Sequence, residues 1–111
     1  MTDFATDLEL IRDAVLAAGE LALSERERGL KIWSKSGGSP VTSADLAVDQ
    51  LLRARLLSAR PDYGWLSEET ADSAERLSKR RIFVVDPIGG TGAYMKDKPW
   101  WGTPIAVVED G

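Results

Sequence analysis

Three short segments of this sequence place carboxylates beside turn-forming residues, where they could bind a metal ion or move a proton. They are residues 41–45, 65–70 and 84–91. Each acidic residue in them is predicted to follow a strand directly or to lie in the first turn of a helix. Carboxylate and carbonyl oxygens are the ligands that Mg²⁺, Mn²⁺ and Ca²⁺ prefer, so an oxygen-ligated cation is the first chemistry to consider.

The first segment, VTSAD, has two interpretations. Thr42 and Asp45 have the spacing of a capping box, in which each side chain accepts a hydrogen bond from the other's backbone amide. Alternatively, Asp45 directs its carboxylate from the first helical turn into a cleft. Both interpretations stay open at this point.

The second segment, WLSEET, carries the adjacent acids Glu68 and Glu69 after a short predicted strand. Acidic pairs of this kind are usually the solvated end of an element. The alternative is a site for a hard cation, in which one Glu faces the metal and its neighbour holds a water or the backbone.

The third segment, VVDPIGGT, has Asp86 at the end of a β-branched strand and two glycines just after it. Asp-Pro followed by Gly-Gly can simply be a turn between two strands. The same arrangement also suits metal-assisted phosphate chemistry. Asp86 would supply a charged ligand, the turn a backbone carbonyl, and the following amides a phosphate cradle, especially if a helix begins there.

The composition of the 111 residues excludes several classes of site. There is no His and no Cys, which excludes Ser–His–Asp catalysis, His-ligated zinc, thiolate chemistry and disulfides. The net charge of −4 argues against a nucleic acid polymer as partner. The chain has no P-loop, dinucleotide fingerprint or EF-hand pattern. Since no apolar run approaches the roughly 20 residues that span a bilayer and no basic leader is present, we expect a cytoplasmic protein without membrane contact.

Two amphipathic helices are predicted to support these segments. The first spans Phe4–Arg28, with Thr2 or Asp3 as its cap and Gly29 as its end. The second spans Ser43–Ala59 and ends before Pro61. The predicted buried face of the first helix comprises Phe4, Leu8, Ile11, Val15, Ala18 and Ala22, and that of the second Ala44, Ala47, Val48, Leu51 and Leu52.

Strands are predicted at residues 30–33, 63–67, 82–85 and 103–109. Residues 36–40 read as a loop, and the polar stretch 68–79 as a connection with a short helical turn. Trp100 and Trp101 are predicted to be core or dimer-contact residues, with stacking on a base or sugar as the alternative. We expect residues 1–111 to form one folded unit.

Taken in order, the segments SPVTSAD, WLSEET and VVDPIGGTGAY resemble the inositol monophosphatase superfamily. The resemblance covers nearly the whole chain from Leu8 onward and is closest to the bacterial 3'(2'),5'-bisphosphate nucleotidase branch, often called CysQ. It implies an α/β (α+β) layered sandwich, with two N-terminal helices packed on a mixed, largely antiparallel sheet. It also implies hydrolysis of a small phosphate monoester with Mg²⁺, or with Mn²⁺. Inositol-1-phosphate is the alternative substrate, and a homodimer is the family-level expectation.

The resemblance assigns the metal ligands residue by residue. It makes Glu68 a metal ligand and Glu69 a supporting residue. The carboxylate of Asp86 would bridge two metal ions, and the backbone carbonyl of Ile88 would be a further ligand.

The same resemblance assigns the substrate contacts and the catalytic pair. Gly89, Gly90 and Thr91 would bind the phosphate, mainly through backbone amides. The Thr91 hydroxyl, paired with Asp45, would orient the attacking water, while Asp45 or the metal takes up the proton.

Three departures from the family pattern shape the expectations for this chain. Gly89 stands where the family has a second metal-ligating Asp, so we expect a rate loss on the order of a hundredfold or more. Family members are more than twice as long, and their later Trp-Asp motif has no counterpart here. Gly92 replaces a basic residue that is frequent in the nucleotidase branch. We therefore expect an impaired enzyme or, alternatively, a catalytically silent metal- or phosphate-binding module.

Overall fold

The first helix, α1, forms where the apolar periodicity predicts it, over Phe4–Arg28. It ends at Gly29, whose φ of 101° is the left-handed conformation typical of a residue that stops a helix. The computed structural model describes residues 4–110. The predicted caps Thr2 and Asp3 lie outside the described residues.

The inward face of α1 differs from the predicted one. Ala18 and Ala22 are buried as expected, but Phe4 and Leu8 are 50% and 67% exposed. Asp7 points inward instead, because its carboxylate accepts hydrogen bonds from Arg60 Nε at 2.9 Å and from the Tyr63 hydroxyl at 2.8 Å. A buried carboxylate with two donors therefore sets the orientation of the first helical turns, which hydrophobic periodicity alone does not reveal.

The second helix, α2, spans Ser43–Ala59 as predicted. Thr42 is its N-cap and forms the complete capping box with Asp45. Its apolar face packs against α1 and includes Ala44, Val48 and Leu52, which are fully buried. Small alanines on both helices allow this close packing.

The strands form a two-stranded hairpin of β1 (Ile32–Ser34) and β2 (Pro40–Thr42) and a three-stranded sheet of β3 (Gly64–Ser67), β4 (Arg81–Val85) and β5 (Ile105–Glu109). In the sheet, β4 pairs in parallel with β3 and antiparallel with β5. The hairpin contains β2, a strand that the sequence analysis missed because it has only three residues and begins at a proline. The remaining elements are a 3-10 helix (Ala74–Ser78) and α3 (Thr91–Met95).

One apolar cluster joins the helices to the sheet, which confirms the predicted layered α/β class. Trp101 is half-buried and packs edge-on against Tyr94, with ring centroids 5.0 Å apart. The prediction of a core position is thus confirmed for Trp101, whereas Trp100 is exposed. Among residues 4–110, no helix has the length and apolar character needed to cross a bilayer. The buried members of the apolar cluster that joins the helices to the sheet are Ala14, Ala18, Ala22, Ala44, Val48, Leu52, Leu56, Trp65, Phe83, Val85, Ile88 and Tyr94.

Burial of Tyr94 predicts a stability change at alkaline pH. Its hydroxyl donates to the Ala22 carbonyl at 2.6 Å, and burial raises the pKa of Tyr94 to about 12. An unfolded tyrosine ionises near pH 10, so this contribution is complete below about pH 10 and is lost as the pH rises to about 12. We expect wild type to lose about 2–3 kcal/mol more unfolding free energy than Tyr94→Phe over that range, by urea unfolding. Parallel pH profiles for the two proteins would contradict this expectation.

Candidate active site

The parallel pairing of β3 and β4 brings two acidic segments to the same edge of the sheet. Ser67 pairs with Val85, so Glu68 and Asp86 follow at equivalent positions. The Glu68 amide donates to the Val85 carbonyl at 3.3 Å, and the Asp86 amide donates to the Pro104 carbonyl at 3.0 Å. Backbone hydrogen bonds thus hold both acidic residues at the carboxyl ends of their strands, where α/β proteins commonly bind ligands.

A cavity of about 220 Å³ opens at this edge. It is lined by residues of the β1–β2 hairpin, of the segment after β3 and of the turn after β4. The predicted metal ligands Glu68, Asp86 and Ile88 therefore share one surface with Gly90 and Thr91, whereas Gly89 does not line it. Its lining residues are Lys35, Ser39, Pro40, Glu68, Glu69, Asp86, Ile88, Gly90, Thr91 and Gly92.

Asp45 forms the predicted capping box and also contacts Thr91, although it is buried and does not line the cavity. Its Oδ2 accepts from the Thr42 amide at 2.8 Å and from the Thr42 hydroxyl at 2.7 Å, which completes the capping box. Its Oδ1 lies 3.2 Å from the Thr91 hydroxyl, and that hydroxyl also lies 3.0 Å from the Ile88 carbonyl. One oxygen of the Asp45 carboxylate accepts the capping hydrogen bonds, and the other faces Thr91. The helix cap therefore fixes the direction of the oxygen that faces Thr91.

The turn between β4 and α3 depends on a glycine at position 90. Gly90 has a φ of 84°, and a Cβ built there would lie 2.9 Å from the Trp100 carbonyl oxygen. Next to it, Gly89 forms an isolated two-hydrogen-bond bridge with Gly102. The helix α3 begins directly after the turn, so the first amides of Thr91 and its neighbours have no acceptor within the helix.

The two adjacent glutamates differ strongly in environment. The Glu69 side chain is 7% exposed and accepts a hydrogen bond from Lys35 Nζ at 2.8 Å. The Glu68 side chain is 62% exposed and lies 3.9 Å from the same ammonium. The hydrogen bond that Lys35 donates to Glu69 raises the pKa of Lys35, so the ammonium stays charged. Glu69 is thereby held in place by an ion pair, while Glu68 remains accessible from the cavity.

Negative charge converges on Asp86. Burial raises the pKa of Asp86, and the carboxylates of Glu68, Asp45 and Glu69 raise it further. A bound cation would offset this repulsion. The donor atoms fit a hard cation, since Asp86, Glu68 and the Ile88 carbonyl all offer oxygen. Within residues 4–110, however, no three carboxylates converge closely enough to form a metal site by themselves.

Two residues of this site escaped the sequence analysis. Lys35 lies in the loop after β1, and only its position ahead of the Gly37–Gly38 turn could have suggested a structured role. Asp49 follows Asp45 by one helical turn and is buried on the same face of α2. A polar residue four positions after Asp45, on an otherwise apolar face of α2, was the signal available for it.

The Thr91 hydroxyl provides a test of the geometry that does not depend on activity. We expect Thr91→Val to lower the unfolding free energy by about 1–3 kcal/mol, because Asp45 Oδ1 and the Ile88 carbonyl lose the single, part-buried hydroxyl donor that they share. Thr91→Ser keeps the hydroxyl and should lose about half as much or less. Urea unfolding of the three proteins measures the difference, and equal stability of the Val and Ser variants would contradict the assigned hydrogen bonds.

Three curated relatives are similar over most of this chain. It is 37% identical over 99% of its length to a glucose-1-phosphate thymidylyltransferase of Streptomyces griseus, covering 42% of that protein. It is 37% identical over 98% to a histidinol-phosphatase of Streptomyces coelicolor, covering 40%. It is 37% identical over 92% to a 3'-phosphoadenosine 5'-phosphate phosphatase of Mycobacterium leprae, covering 37%. The chain therefore spans about two fifths of these relatives, whose names differ in substrate and reaction.

The fold and the family agree across these comparisons. The solved structure of the extragenic suppressor protein suhB from Bartonella henselae superposes with a TM-score of 0.87 at 24% identity, over 96% of this chain and 42% of that one. The model of the inositol monophosphatase family matches residues 4–111. This chain belongs to the inositol monophosphatase family.

Proposed function

We propose that this chain forms the cation- and phosphate-binding part of a phosphomonoesterase that depends on Mg²⁺, or on Mn²⁺. The observation that carries the proposal is one cavity lined by the acidic ends of β3 and β4 and by the turn ahead of α3. Glu68, Asp86 and the Ile88 carbonyl would hold the cation, with Glu69 supporting them through Lys35. Family membership agrees with this assignment.

Thr91, Asp45 and the backbone of the turn ahead of α3 have further roles in this proposal. A divalent cation at such a site lowers the pKa of bound water and offsets the charge of the phosphate. Thr91 would orient the attacking water through its hydroxyl oxygen while its proton points to Asp45 Oδ1. The amides of Gly90 and Thr91 would bind the phosphate oxygens, whereas the Gly89 amide already donates to the Gly102 carbonyl at 2.7 Å and does not take this role. Asp45, held by the cap of α2, would accept the hydrogen bond of the Thr91 hydroxyl, so that the hydroxyl oxygen faces the water.

The proposed substrate is a 3'(2'),5'-bisphosphate nucleotide. The similarity to the Mycobacterium leprae 3'-phosphoadenosine 5'-phosphate phosphatase supports it. Inositol-1-phosphate is the alternative, supported by 35% identity to an inositol-1-monophosphatase of Caulobacter vibrioides over 74% of this chain. Both are small phosphate monoesters, so the same cavity chemistry serves either one.

A phosphate-release assay with a panel of substrates tests this proposal. The panel contains 3'-phosphoadenosine 5'-phosphate, inositol-1-phosphate and histidinol phosphate, each with Mg²⁺ and with EDTA. We expect Mg²⁺-dependent release, slow because of Gly89, that is fastest with the bisphosphate nucleotide and lost in Asp86→Asn. Absence of release both in this chain and in a Gly89→Asp variant would contradict it.

The second candidate is a silent cation- or phosphate-binding module. Gly89 favours it, since a glycine offers no side-chain oxygen and residues 4–110 hold no triad of converging carboxylates. Calorimetric titration distinguishes the two candidates. Weak binding of a single Mg²⁺ without any turnover supports the module, whereas turnover of a phosphate monoester rules it out.

A further inference from the structure

A buried hydrogen-bond network joins the middle of α2 to the segment that carries Glu68 and Glu69. Its centre is Asp49, a buried carboxylate that the proposed mechanism does not use. The Ser67 hydroxyl donates to one oxygen of Asp49, and the Thr70 hydroxyl donates to the other. The two hydroxyls lie immediately before and after the glutamate pair.

The direction of every hydrogen bond in this network is determined. The Ser67 oxygen accepts from the Glu69 amide at 3.2 Å, and the Thr70 oxygen accepts from Trp65 Nε1 at 3.2 Å. Amide and indole N–H groups only donate, so each hydroxyl oxygen accepts from its N–H partner, while its own proton is donated to the Asp49 carboxylate. The network therefore requires an acceptor at both oxygens of residue 49, which a carboxylate supplies and an amide or aliphatic side chain does not.

Three sets of contacts then hold the glutamate segment. The Asp49 network holds the Glu69 backbone, Lys35 holds the Glu69 carboxylate, and β4 holds the Glu68 amide. Of these three sets of contacts, that of Asp49 alone binds the segment on both sides of the glutamates, through Ser67 and Thr70. Removing it would release the segment while leaving every cavity-lining residue chemically intact.

We infer that Asp49 is a positioning residue, which sets the direction of Glu68 and Glu69 without touching the cation or the substrate. The inference deepens the proposed function and rests on it, because the cation site depends on Glu68. Loss of supporting hydrogen bonds around a metal site typically costs 10- to 100-fold in affinity. We therefore expect Asp49→Ala to weaken Mg²⁺ binding at least about tenfold.

The matched control is Asp7, a second buried carboxylate. It accepts hydrogen bonds from Arg60 and from Tyr63, and Tyr63 directly precedes β3, at the end of the strand opposite to Glu68. Asp7→Ala should lower the melting temperature to a similar extent but leave Mg²⁺ affinity unchanged. Asp49→Asn retains one acceptor and should fall between wild type and Asp49→Ala. Ser67→Ala, a milder change, covers the case in which Asp49→Ala does not fold.

Two measurements on the 111-residue chain decide the matter: calorimetric titration with Mg²⁺, and NMR amide exchange at Glu69 without metal. Weaker Mg²⁺ binding and faster Glu69 exchange in Asp49→Ala or Ser67→Ala, but not in Asp7→Ala, support the inference. Unchanged affinity and exchange overturn it. If wild type binds no Mg²⁺, the proposed function fails separately. Glu69 exchange then decides alone, since faster exchange confined to the Asp49 and Ser67 variants supports positioning and unchanged exchange overturns it.

Discussion

Replacing Gly89 with aspartate is expected to strengthen Mg²⁺ binding by about tenfold or more, because charged ligand count is a main determinant of affinity for hard cations. The new side chain would join Asp86 and Glu68 as a third carboxylate at the cavity. Gly89 has no left-handed φ, and a Cβ built there would lie 3.3 Å from Asp86 Oδ2. The backbone therefore accepts a side chain, and that side chain emerges beside the existing acid.

The substitution also carries a packing cost. The same Cβ would lie 3.2 Å from Pro104 Cδ, so the proline ring must move by a few tenths of an ångström. We expect a loss of about 1 kcal/mol in unfolding free energy without metal, increased by repulsion between neighbouring carboxylates. Mg²⁺ should reverse that loss, since a ligand that binds only the folded state stabilises it.

Two variants separate charge from packing at this position. Gly89→Ala adds the Cβ alone, and Gly89→Asn adds the shape of aspartate without its charge. Calorimetric titration with Mg²⁺ should find tighter binding only for Gly89→Asp. Its phosphate release should also exceed that of wild type, on the order of a hundredfold if the missing charge limits the rate. Equal Mg²⁺ affinity in the Asp and Asn variants would contradict the assignment.

Replacing Gly90 with alanine is expected to cost about 2–4 kcal/mol of unfolding free energy, since both backbone strain and a steric clash oppose it. Its φ of 84° disfavours any side chain, and the added Cβ would lie 2.9 Å from the Trp100 carbonyl oxygen. That oxygen belongs to the backbone and has no rotamer through which to escape. Because folded domains are stable by only about 5–15 kcal/mol, the loss is a large fraction of the total.

The matched control for Gly90 is Gly92, two residues further along. Gly92 lies inside α3, has no left-handed φ, and has open space where a Cβ would be added. Gly92→Ala should therefore be neutral or stabilising by up to about 1 kcal/mol, because alanine is the better helix former. Thermal and urea unfolding of both variants measure the contrast. Similar stabilities for the two alanine variants would contradict the described turn.

The two long helices were predictable because their information is local, whereas the five-residue helix α3 was not predicted. The bounds of α1 and α2 follow from apolar spacing, from the Thr42–Asp45 cap, and from Gly29 and Pro61 at their ends. Each of these signals acts within one or two turns of chain. The inward direction of α1 was wrong in its first turns because Asp7 bonds to Arg60 and Tyr63, which are distant in sequence.

Four of the five strands were predictable, but their pairing partners were not. Three of the predicted strands form β3, β4 and β5, whereas β2 was missed because it exists only through its pairing with β1. Parallel or antiparallel pairing leaves no mark on a single strand of four or five residues. Glu68 and Asp86 lie side by side only because β3 and β4 pair in parallel. The sequence therefore identified both acids as candidates but did not predict that they lie next to each other.

For the candidate site, local sequence was sufficient to identify the acidic segments and the glycine turn, since residue type and spacing carry that information. The departure at Gly89 came from the resemblance to the family pattern. Tertiary structure alone decided the rest. It directed the second oxygen of Asp45 to Thr91, paired Lys35 with Glu69, and placed Asp49 behind the glutamates. These contacts join residues far apart in the chain, and their energies depend on burial and direction, which exist only once the elements have packed.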